Sequence, residues 1–321
     1  MASSRTFSRP LVVLSLLVSA VIIAGAGWAV SNQVSANGSS NPFGATTPYV
    51  SPESSAAKAL PGATSAEKAA FQKFAATPSA IWLLPEDHDT ASIADFVADT
   101  AAAASADEKT AVFVVYGIPD RDCSNESAGG LTAAEYPAWV AAIAKGLVDQ
   151  SAVVIVEPDS LALSVSCGNT DERTSQISAA VDSLTATGTS LYLDGGHSNW
   201  LTPQVQATLL SAAGVSRTRG FASNVSNFNT TEAERAYDEQ VSALAGGAHY
   251  LIDTSRNGSG SNGEWCNPSG RTVGDAPSVV TDGTALDALL WIKNPGESDG
   301  QCNGGPAAGD WWPAGALALL G

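Results

Sequence analysis

Seven short apolar runs follow residue 80, and they restrict the fold more than any other feature of this chain of 321 residues. They are continuously apolar rather than alternating, which is typical of parallel strands that are buried on both faces. The runs are residues 81–84, 111–118, 152–156, 190–193, 220–222, 249–252 and 288–292. Alanine-rich stretches of helical character separate them. The pattern therefore predicts an α/β fold, either a β/α barrel or an open doubly wound sheet.

The first 36 residues have the character of an export segment. Residues 11–30 form an uncharged apolar run preceded by Arg5 and Arg9, a pattern typical of signal peptides. The run is also long enough to cross a bilayer. We therefore predict for residues 1–36 either a signal peptide, with Val34-Ser35-Ala36 as its small-residue cleavage site, or an uncleaved membrane anchor.

The remainder of the chain divides near residue 66. Residues 37–66 are rich in Ser, Ala, Pro, Gly and Asn, and are predicted to form a linker or an N-terminal arm. Residues 67–321 are predicted to form a single catalytic domain. This domain is expected to be secreted, or tethered at the extracellular face by the N-terminal segment.

Charge and cysteine content limit the partners and the chemistry. The formal charge of −17 disfavours nucleic acid and anionic lipid, so the membrane is a partner only through an uncleaved anchor, and a neutral sugar polymer fits. An exported chain with four cysteines is expected to form two disulfides, with three pairings open from the residues alone. There is no Cys-x-x-Cys pair and the three histidines are scattered, so we expect no metal site and no cofactor.

Polar residues, most of them acidic, follow at least six of the apolar runs. Both candidate folds place functional sites at the carboxyl ends of their strands. The segments are residues 119–123, 157–160, 194–197, 224, 253–257 and 293–299. Carboxylates without clustered histidines indicate acid–base chemistry on a neutral substrate, and glycoside hydrolysis uses one protonated carboxylic acid and usually a second carboxylate. The residues alone leave inversion and retention both open.

Three tryptophans near the predicted strand ends provide a second signal. Trp82, Trp200 and Trp265 are interpreted as stacking platforms for sugar rings. Trp139 and Trp291 are interpreted as core residues.

Seven ordered motifs carry a resemblance to a known family. They are residues 114–123, 154–161, 192–200, 220–229, 252–258, 264–266 and 291–300. From about residue 41 to the end, the chain resembles glycoside hydrolase family 6, the cellulases that include endoglucanases and cellobiohydrolases. The resemblance implies a distorted, TIM-like barrel of seven parallel strands in a single domain. It also implies metal-free hydrolysis of β-1,4-glucan with inversion, and the disulfides Cys123–Cys167 and Cys266–Cys302.

The resemblance also implies roles for individual residues. Asp159 matches the general acid, and Asp122 matches the aspartate that raises the pKa of the acid and helps to position water. Asp299 matches the candidate base, Asp194 a supporting carboxylate, and Tyr116 the tyrosine that presses on the sugar ring. Residues matching substrate-contacting positions are Trp82, Arg121, His197, Trp200, Asn224, Trp265, Lys293 and Glu297. The chain departs from the family at Ala128, which stands where a water-holding serine is expected, with Ser127 one residue earlier.

The short loops between the paired cysteines favour an open cleft, and hence an endo-1,4-β-glucanase acting as a monomer on β-1,4-glucan chains or cello-oligosaccharides. Alternatives are an exo-acting cellobiohydrolase, a non-catalytic β-glucan-binding protein, a metal-dependent hydrolase, and an enzyme specific for another β-glucan. The presence of Asp159, Asp122 and Asp299 argues against the non-catalytic binding protein. The lack of clustered histidines argues against the metal-dependent hydrolase.

Overall fold

The computed structural model describes Met1 and residues 40–44 and 46–321. Apart from Met1, the predicted export segment of residues 1–36 and its cleavage site lie outside the described residues. Within the described part of the chain, no helix is long and apolar enough to cross a membrane.

One sheet of eight strands organises the molecule, in the order β1-β2-β3-β4-β5-β6-β8-β7. The strands are β1 Ile81–Leu83, β2 Ala111–Val115, β3 Ala152–Val156, β4 Ser190–Asp194, β5 Gly220–Ser223, β6 His249–Asp253, β7 Ser278–Val279 and β8 Leu286–Leu290. All seven predicted runs form strands, and their neighbours pair in parallel. The predicted count of seven is one too low, because the two-residue strand β7 pairs antiparallel with β8.

Helices follow most of the strands and cover the outside of the sheet. They are α1 Ser55–Ala59, α2 Lys68–Ala76, α3 Ile93–Ala106, α4 Tyr136–Leu147, α5 Ser160–Cys167, α6 Thr170–Thr185, α7 Pro203–Ala213, α8 Thr231–Leu244 and α9 Pro313–Ala318. Helix α8 is capped by Thr230, whose hydroxyl accepts the N–H of Ala233.

The sheet curls, but no ladder joins β1 to β8 among the described residues. The two strands nevertheless come close, because the N–H of Ala80 donates to the carbonyl of Trp291 at 2.9 Å. The fold is thus a single α/β domain built on a curled, mostly parallel sheet.

Two apolar layers explain why the strand runs are continuously apolar. In β2, Phe113 and Val115 belong to the outer layer between the sheet and the helices. Val112 and Val114 belong to the inner layer that the curled sheet encloses. Because side chains alternate across a strand, both faces of the run must be apolar.

The segment before α1 runs along the sheet from one end to the other. Near the amino ends of the strands, the amide of Asn41 donates to the carbonyl of Asp287 at 2.8 Å, and Phe43, 1% exposed, enters the inner layer. The N–H of Tyr49 donates to Thr110 just before β2. At the opposite end, the Ser55 hydroxyl donates to Glu297.

Two disulfides join Cys123 to Cys167 and Cys266 to Cys302. These are the pairings implied by the family resemblance. The first ties the loop after β2 to the end of α5, and the second ties the long loop after β6 to the loop after β8.

Candidate active site

A cleft of about 1530 Å³ lies over the carboxyl ends of the strands. It brings together most of the predicted site residues, although they come from β1 and from the segments that follow five other strands. Those that line it are Trp82, Tyr116, Arg121, Asp122, Asp159, His197, Trp200, Trp265, Lys293, Glu297 and Asp299. Asp194 and Asn224 are not part of its lining.

Asp159 lies in the cleft between β3 and α5, in a left-handed conformation with φ of 66°. Its backbone N–H donates to Asp194 Oδ2 at 3.1 Å. Burial raises the pKa of Asp159 well above its usual range, and the neighbouring carboxylates of Asp194, Asp122 and Asp299 raise it further, against the opposing charge of Lys293. Asp159 therefore keeps its proton to a higher pH than an ordinary carboxylic acid does.

Asp194 ends β4 and lies beneath the cleft. Its Oδ2 also accepts the N–H of Gly196 at 2.9 Å, so one oxygen connects the backbone of Asp159 to the loop after β4. Burial raises the pKa of Asp194 to about 7. Asp194 supports the site without contacting the open space of the cleft.

Asp122 begins a short 3₁₀ turn, Asp122–Ser124, with φ of 59°. Its Oδ2 accepts the N–H of Ser127 at 2.8 Å, whereas Oδ1 has only a long contact of 3.4 Å from the amide of Asn125. Burial raises the pKa of Asp122. One oxygen of this carboxylate is thus weakly engaged by protein and remains available to water or substrate.

Asp299 has both oxygens occupied. The guanidinium of Arg256 approaches Oδ1 and Oδ2 at 2.9 Å each, and the N–H of Asn267 also donates to Oδ2 at 2.9 Å. Arg256 is itself held over the ring of Phe228, 4.5 Å from the centroid. A carboxylate in a two-pronged pair with arginine is a weak direct acceptor for a proton.

An aromatic and cationic wall stands next to Asp159. Tyr116 meets Trp82 edge-on, with ring centroids 5.1 Å apart, and the Trp82 indole N–H donates to the carbonyl of Ile292 at 2.9 Å. Lys293 Nζ lies 5.8 Å from the Trp82 centroid and 3.5 Å from Glu297 Oε2. The wall thus combines a flat apolar face with a pair of opposite charges in one part of the cleft.

The guanidinium of Arg121 is engaged by protein groups, so Arg121 has mainly a structural role. Its guanidinium contacts Glu86 at 2.9 and 3.2 Å and the carbonyl of Tyr116 at 2.8 Å. Its Nε donates to the carbonyl of Ser127. Arg121 therefore fixes the loop that carries Tyr116 and Asp122.

The loop after β4 presents His197 and Trp200 to the cleft. His197 Nδ1 lies 3.0 Å from the amide nitrogen of Asn229 and accepts the N–H of Asn199 at 3.2 Å. Burial lowers the pKa of His197 to about 4. The imidazole is therefore neutral at neutral pH, and its proton sits on Nε2.

The structure does not bring Asn224, a predicted substrate-contacting residue, to the surface of the cleft. Asn224 is 0% exposed. Its amide donates to the carbonyls of Asn229 and Asp253, and its Oδ1 accepts the N–H of Asn229. The side chain thus stabilises the loop, and Asn227 and Asn229 reach the cleft in its place.

Trp265 lies at the rim of the cleft and is 53% exposed. Such exposure of a large apolar ring indicates a stacking surface for a ligand. Trp139, in contrast, is fully buried, as the sequence predicts.

The sequence interpretation missed the structural role of two buried carboxylates. Glu157 accepts the N–H groups of Gly117 and Ile118, which belong to the loop after β2, and burial raises the pKa of Glu157 to about 7. Asp253 accepts N–H groups from Ser226 and Lys293, after β5 and β8. Each acid connects a strand end to a neighbouring loop. Their position directly after an apolar run was the available signal, but it does not separate this role from catalysis.

Comparison with known proteins places the chain in a family. The sequence profile of Glycosyl hydrolases family 6 matches residues 41–321. Endoglucanase A of Cellulomonas fimi is 44% identical over 274 residues, which is 84% of this chain but 60% of that protein, so the chain spans less than two thirds of the length of this relative. Endoglucanase 1 of Streptomyces halstedii is 37% identical, over 85% of this chain and 88% of that protein.

Solved structures agree with the sequence comparison. The endoglucanase Cel6 from Mycobacterium tuberculosis, in complex with methyl-cellobiosyl-4-deoxy-4-thio-β-D-cellobioside, superposes with a TM-score of 0.83 and 42% identity, covering 88% of this chain and 98% of that one. The cellobiohydrolase Cel6A from Chaetomium thermophilum gives a TM-score of 0.75 and 25% identity, covering 87% of this chain and 97% of that one. On the strength of the profile match and these relatives, the chain belongs to glycosyl hydrolases family 6.

Proposed function

We propose that the protein is an endo-1,4-β-glucanase that hydrolyses internal bonds of cellulose or a related β-glucan with inversion of configuration. The observation that carries the proposal is the setting of Asp159, an acid kept protonated among carboxylates in a long cleft lined with tryptophans. Secretion of residues 67–321 as the catalytic domain agrees with the two disulfides. The barrel of the family corresponds here to the curled sheet, with the Ala80–Trp291 hydrogen bond where a closing ladder would lie.

The first chemical step is proton donation from Asp159 to the glycosidic oxygen of the bond that breaks. An acid of ordinary pKa would be ionised at neutral pH and unable to donate. Burial and the negative charges of Asp122 and Asp194 keep the proton in place until the leaving oxygen becomes basic. Inversion then requires a water molecule to attack the anomeric carbon from the opposite face.

In our proposal, Asp299 and Asp122 share the activation of that water. Asp299 is paired with Arg256, so it acts through a chain of water rather than by direct contact. Asp122 has the less engaged oxygen and helps to position water. Ser127 takes over the role of the serine missing at Ala128, because it also lines the cleft and its N–H donates to Asp122 Oδ2 at 2.8 Å.

Endo cleavage is favoured over the exo mode by the relatives and by the cleft. Several of the similar curated proteins are endoglucanases, and the named cellobiohydrolases are less similar in sequence. The exposed ring of Trp265 at the cleft rim also favours entry of a chain from the side. We propose that β-1,4-glucan chains and cello-oligosaccharides are its partners.

The test uses purified protein on carboxymethylcellulose, barley β-glucan and cello-oligosaccharides, with detection of the product anomer. We expect a rapid fall in viscosity and inverted products. Asp159→Asn should lose at least about a hundredfold in kcat on substrates with poor leaving groups, while still binding oligosaccharide. Asp95→Asn, an exposed carboxylate on α3, is the matched control and should behave as wild type. Release of cellobiose almost alone, with viscosity maintained, would contradict the endo mode.

A further inference from the structure

A buried carboxyl pair lies behind the loop that carries His197 and Trp200. Glu234 and Asp238 are one turn apart on α8, and each is 0% exposed. Neither lines the cleft. Two carboxylates in such a position cost free energy unless they have a specific set of partners.

Glu234 accepts hydrogen bonds from one residue of the loop, Ser198. Its Oε1 accepts the N–H of Ser198 at 3.0 Å and the Ser198 hydroxyl at 2.6 Å, and its Oε2 lies 3.3 Å from the same N–H. Burial raises the pKa of Glu234, and the neighbouring side chains of Ser198, Asn229 and Ser223 oppose that rise. Because the N–H and the hydroxyl of Ser198 both donate to it, Glu234 is assigned as the ionised member of the pair.

Asp238 has a different environment. Its Oδ2 accepts the hydroxyl of Ser223 at 2.5 Å, whereas its Oδ1 is buried with no partner. Burial and the charge of Glu234 raise the pKa of Asp238 well above its usual range. Asp238 is therefore the member of the pair that keeps a proton more readily, and Glu234 is the member whose carboxylate faces Ser198.

The hydrogen bonds between Glu234 and Ser198 influence the cleft through the residues next to Ser198 in sequence. His197 and Asn199 flank Ser198, and Asn229 contacts both, at 3.0 Å from His197 Nδ1 and 2.7 Å from the Asn199 amide nitrogen. His197, Asn199 and Trp200 line the cleft. The segment has no helix or strand of its own, so these contacts set its position.

We propose that Glu234 is a positioning residue for substrate binding: its carboxylate, kept singly charged by the protonated Asp238, fixes the 197–200 loop that presents His197 and Trp200 to a glucan chain. The inference rests on the proposed function and names a determinant of binding strength within it. It assigns Glu234 no contact with substrate.

The first experiment measures Kd, KM and kcat for cello-oligosaccharides with the full chain. Glu234→Ala should raise Kd and KM roughly tenfold, the cost of a lost hydrogen bond to a charged group, while kcat at saturation stays within about threefold of wild type. Glu234→Gln keeps one acceptor for the Ser198 N–H and should recover most of the binding. Ser198→Ala removes one donor and should raise Kd about threefold, which provides a second variant if Glu234→Ala fails to fold.

Asp287→Asn is the matched control for stability. Asp287 is a buried carboxylate paired with Arg219 at the amino ends of the strands, away from the cleft. This variant should lower the Tm without changing Kd. An equal loss of binding in Asp287→Asn, or wild-type binding in Glu234→Ala, would overturn the inference.

A pH series separates positioning from packing. Loss of the proton from the pair adds a second buried charge next to Ser198, so KM of the wild type should rise at alkaline pH. The other titratable side chains on which the charge of the pair acts are Tyr237 and Tyr250. Asp238→Asn has no proton to lose and should keep KM flat; a parallel alkaline rise in this variant would refute the shared proton. If the wild type neither binds nor cleaves any cello-oligosaccharide, the proposed function itself fails.

Discussion

Glu126 Oε2 accepts the backbone N–H of Gln301 at 2.9 Å, and this contact joins the disulfide-tied loop of Asp122 to that of Asp299. Gly300 packs against Glu126 so closely that an added Cβ would lie 2.4 Å from Oε2. We predict that Glu126→Ala abolishes hydrogen-exchange protection of the Gln301 amide. Since an exposed hydrogen bond contributes about 1 kcal/mol, kcat should fall no more than about fivefold. Glu126→Gln retains an acceptor and should preserve both protection and rate; protection unchanged in the alanine variant would contradict the contact.

Removal of Asp122 should change the pH dependence of catalysis. Its negative charge helps to raise the pKa of Asp159, so Asp122→Asn should lower that pKa. Because the alkaline limb of kcat reports loss of the acid proton, the limb should move to lower pH. The kcat profile on cello-oligosaccharides measures this, with Asp95→Asn as the control whose limb stays in place. A shift to higher pH would show that Asp122 does not act on Asp159 by charge.

Stability should decrease as the pH rises towards neutrality. Burial raises the pKa of Glu157 from 4.5 to about 7 and that of Asp194 from 3.8 to about 7. A raised pKa means that the folded state holds the proton more tightly, so its stabilisation is complete below the unfolded pKa and is lost as pH rises through the folded pKa. For Glu157 alone, this loss lowers the free energy of unfolding by about 3 kcal/mol between pH 4.5 and 7. The Tm should therefore be higher at pH 5 than at pH 8.

The matched variant for this pH effect is Glu157→Gln, which has no proton to lose. The slope of unfolding free energy against pH should become shallower by the contribution of one group. An unchanged slope would show that Glu157 titrates normally in the folded protein.

Trp265 should contribute to binding and not to stability. It is half exposed, so Trp265→Ala should raise Kd for cello-oligosaccharides roughly tenfold, in line with the loss of an aromatic stacking contact, while the Tm stays within about 2 °C. Trp139→Ala is the contrasting variant, because Trp139 is fully buried and its indole donates to the carbonyl of His88. That change should cost about 3–5 kcal/mol of stability. Equal Tm losses in the two variants would contradict the assignment.

Much of the fold could be predicted because buried parallel strands are recognisable in the sequence as continuously apolar runs. Val112 through Val115 are all apolar since both faces of β2 are covered. Strand β7 has no such apolar run, because it consists of two residues at the edge of the sheet and neither is buried.

The acids at the strand ends show where sequence reasoning stops. Glu157 and Asp159 are two residues apart, and both have positive φ, yet Glu157 turns towards the backbone of the loop after β2 and Asp159 towards the cleft. That difference depends on local turns and on which neighbouring N–H groups lack partners, information that a strand pattern does not contain. The same holds for Asn224 and Asn229, which share a loop although only Asn229 reaches the cleft.

The path of the N-terminal segment has a consequence for how the protein meets a solid substrate. The chain enters the domain beside Asn41, at the amino ends of the strands, and the cleft opens at the carboxyl ends. An attachment through the residues before Asn41 would therefore reach the domain on the side opposite the cleft. The cleft would then open away from that attachment.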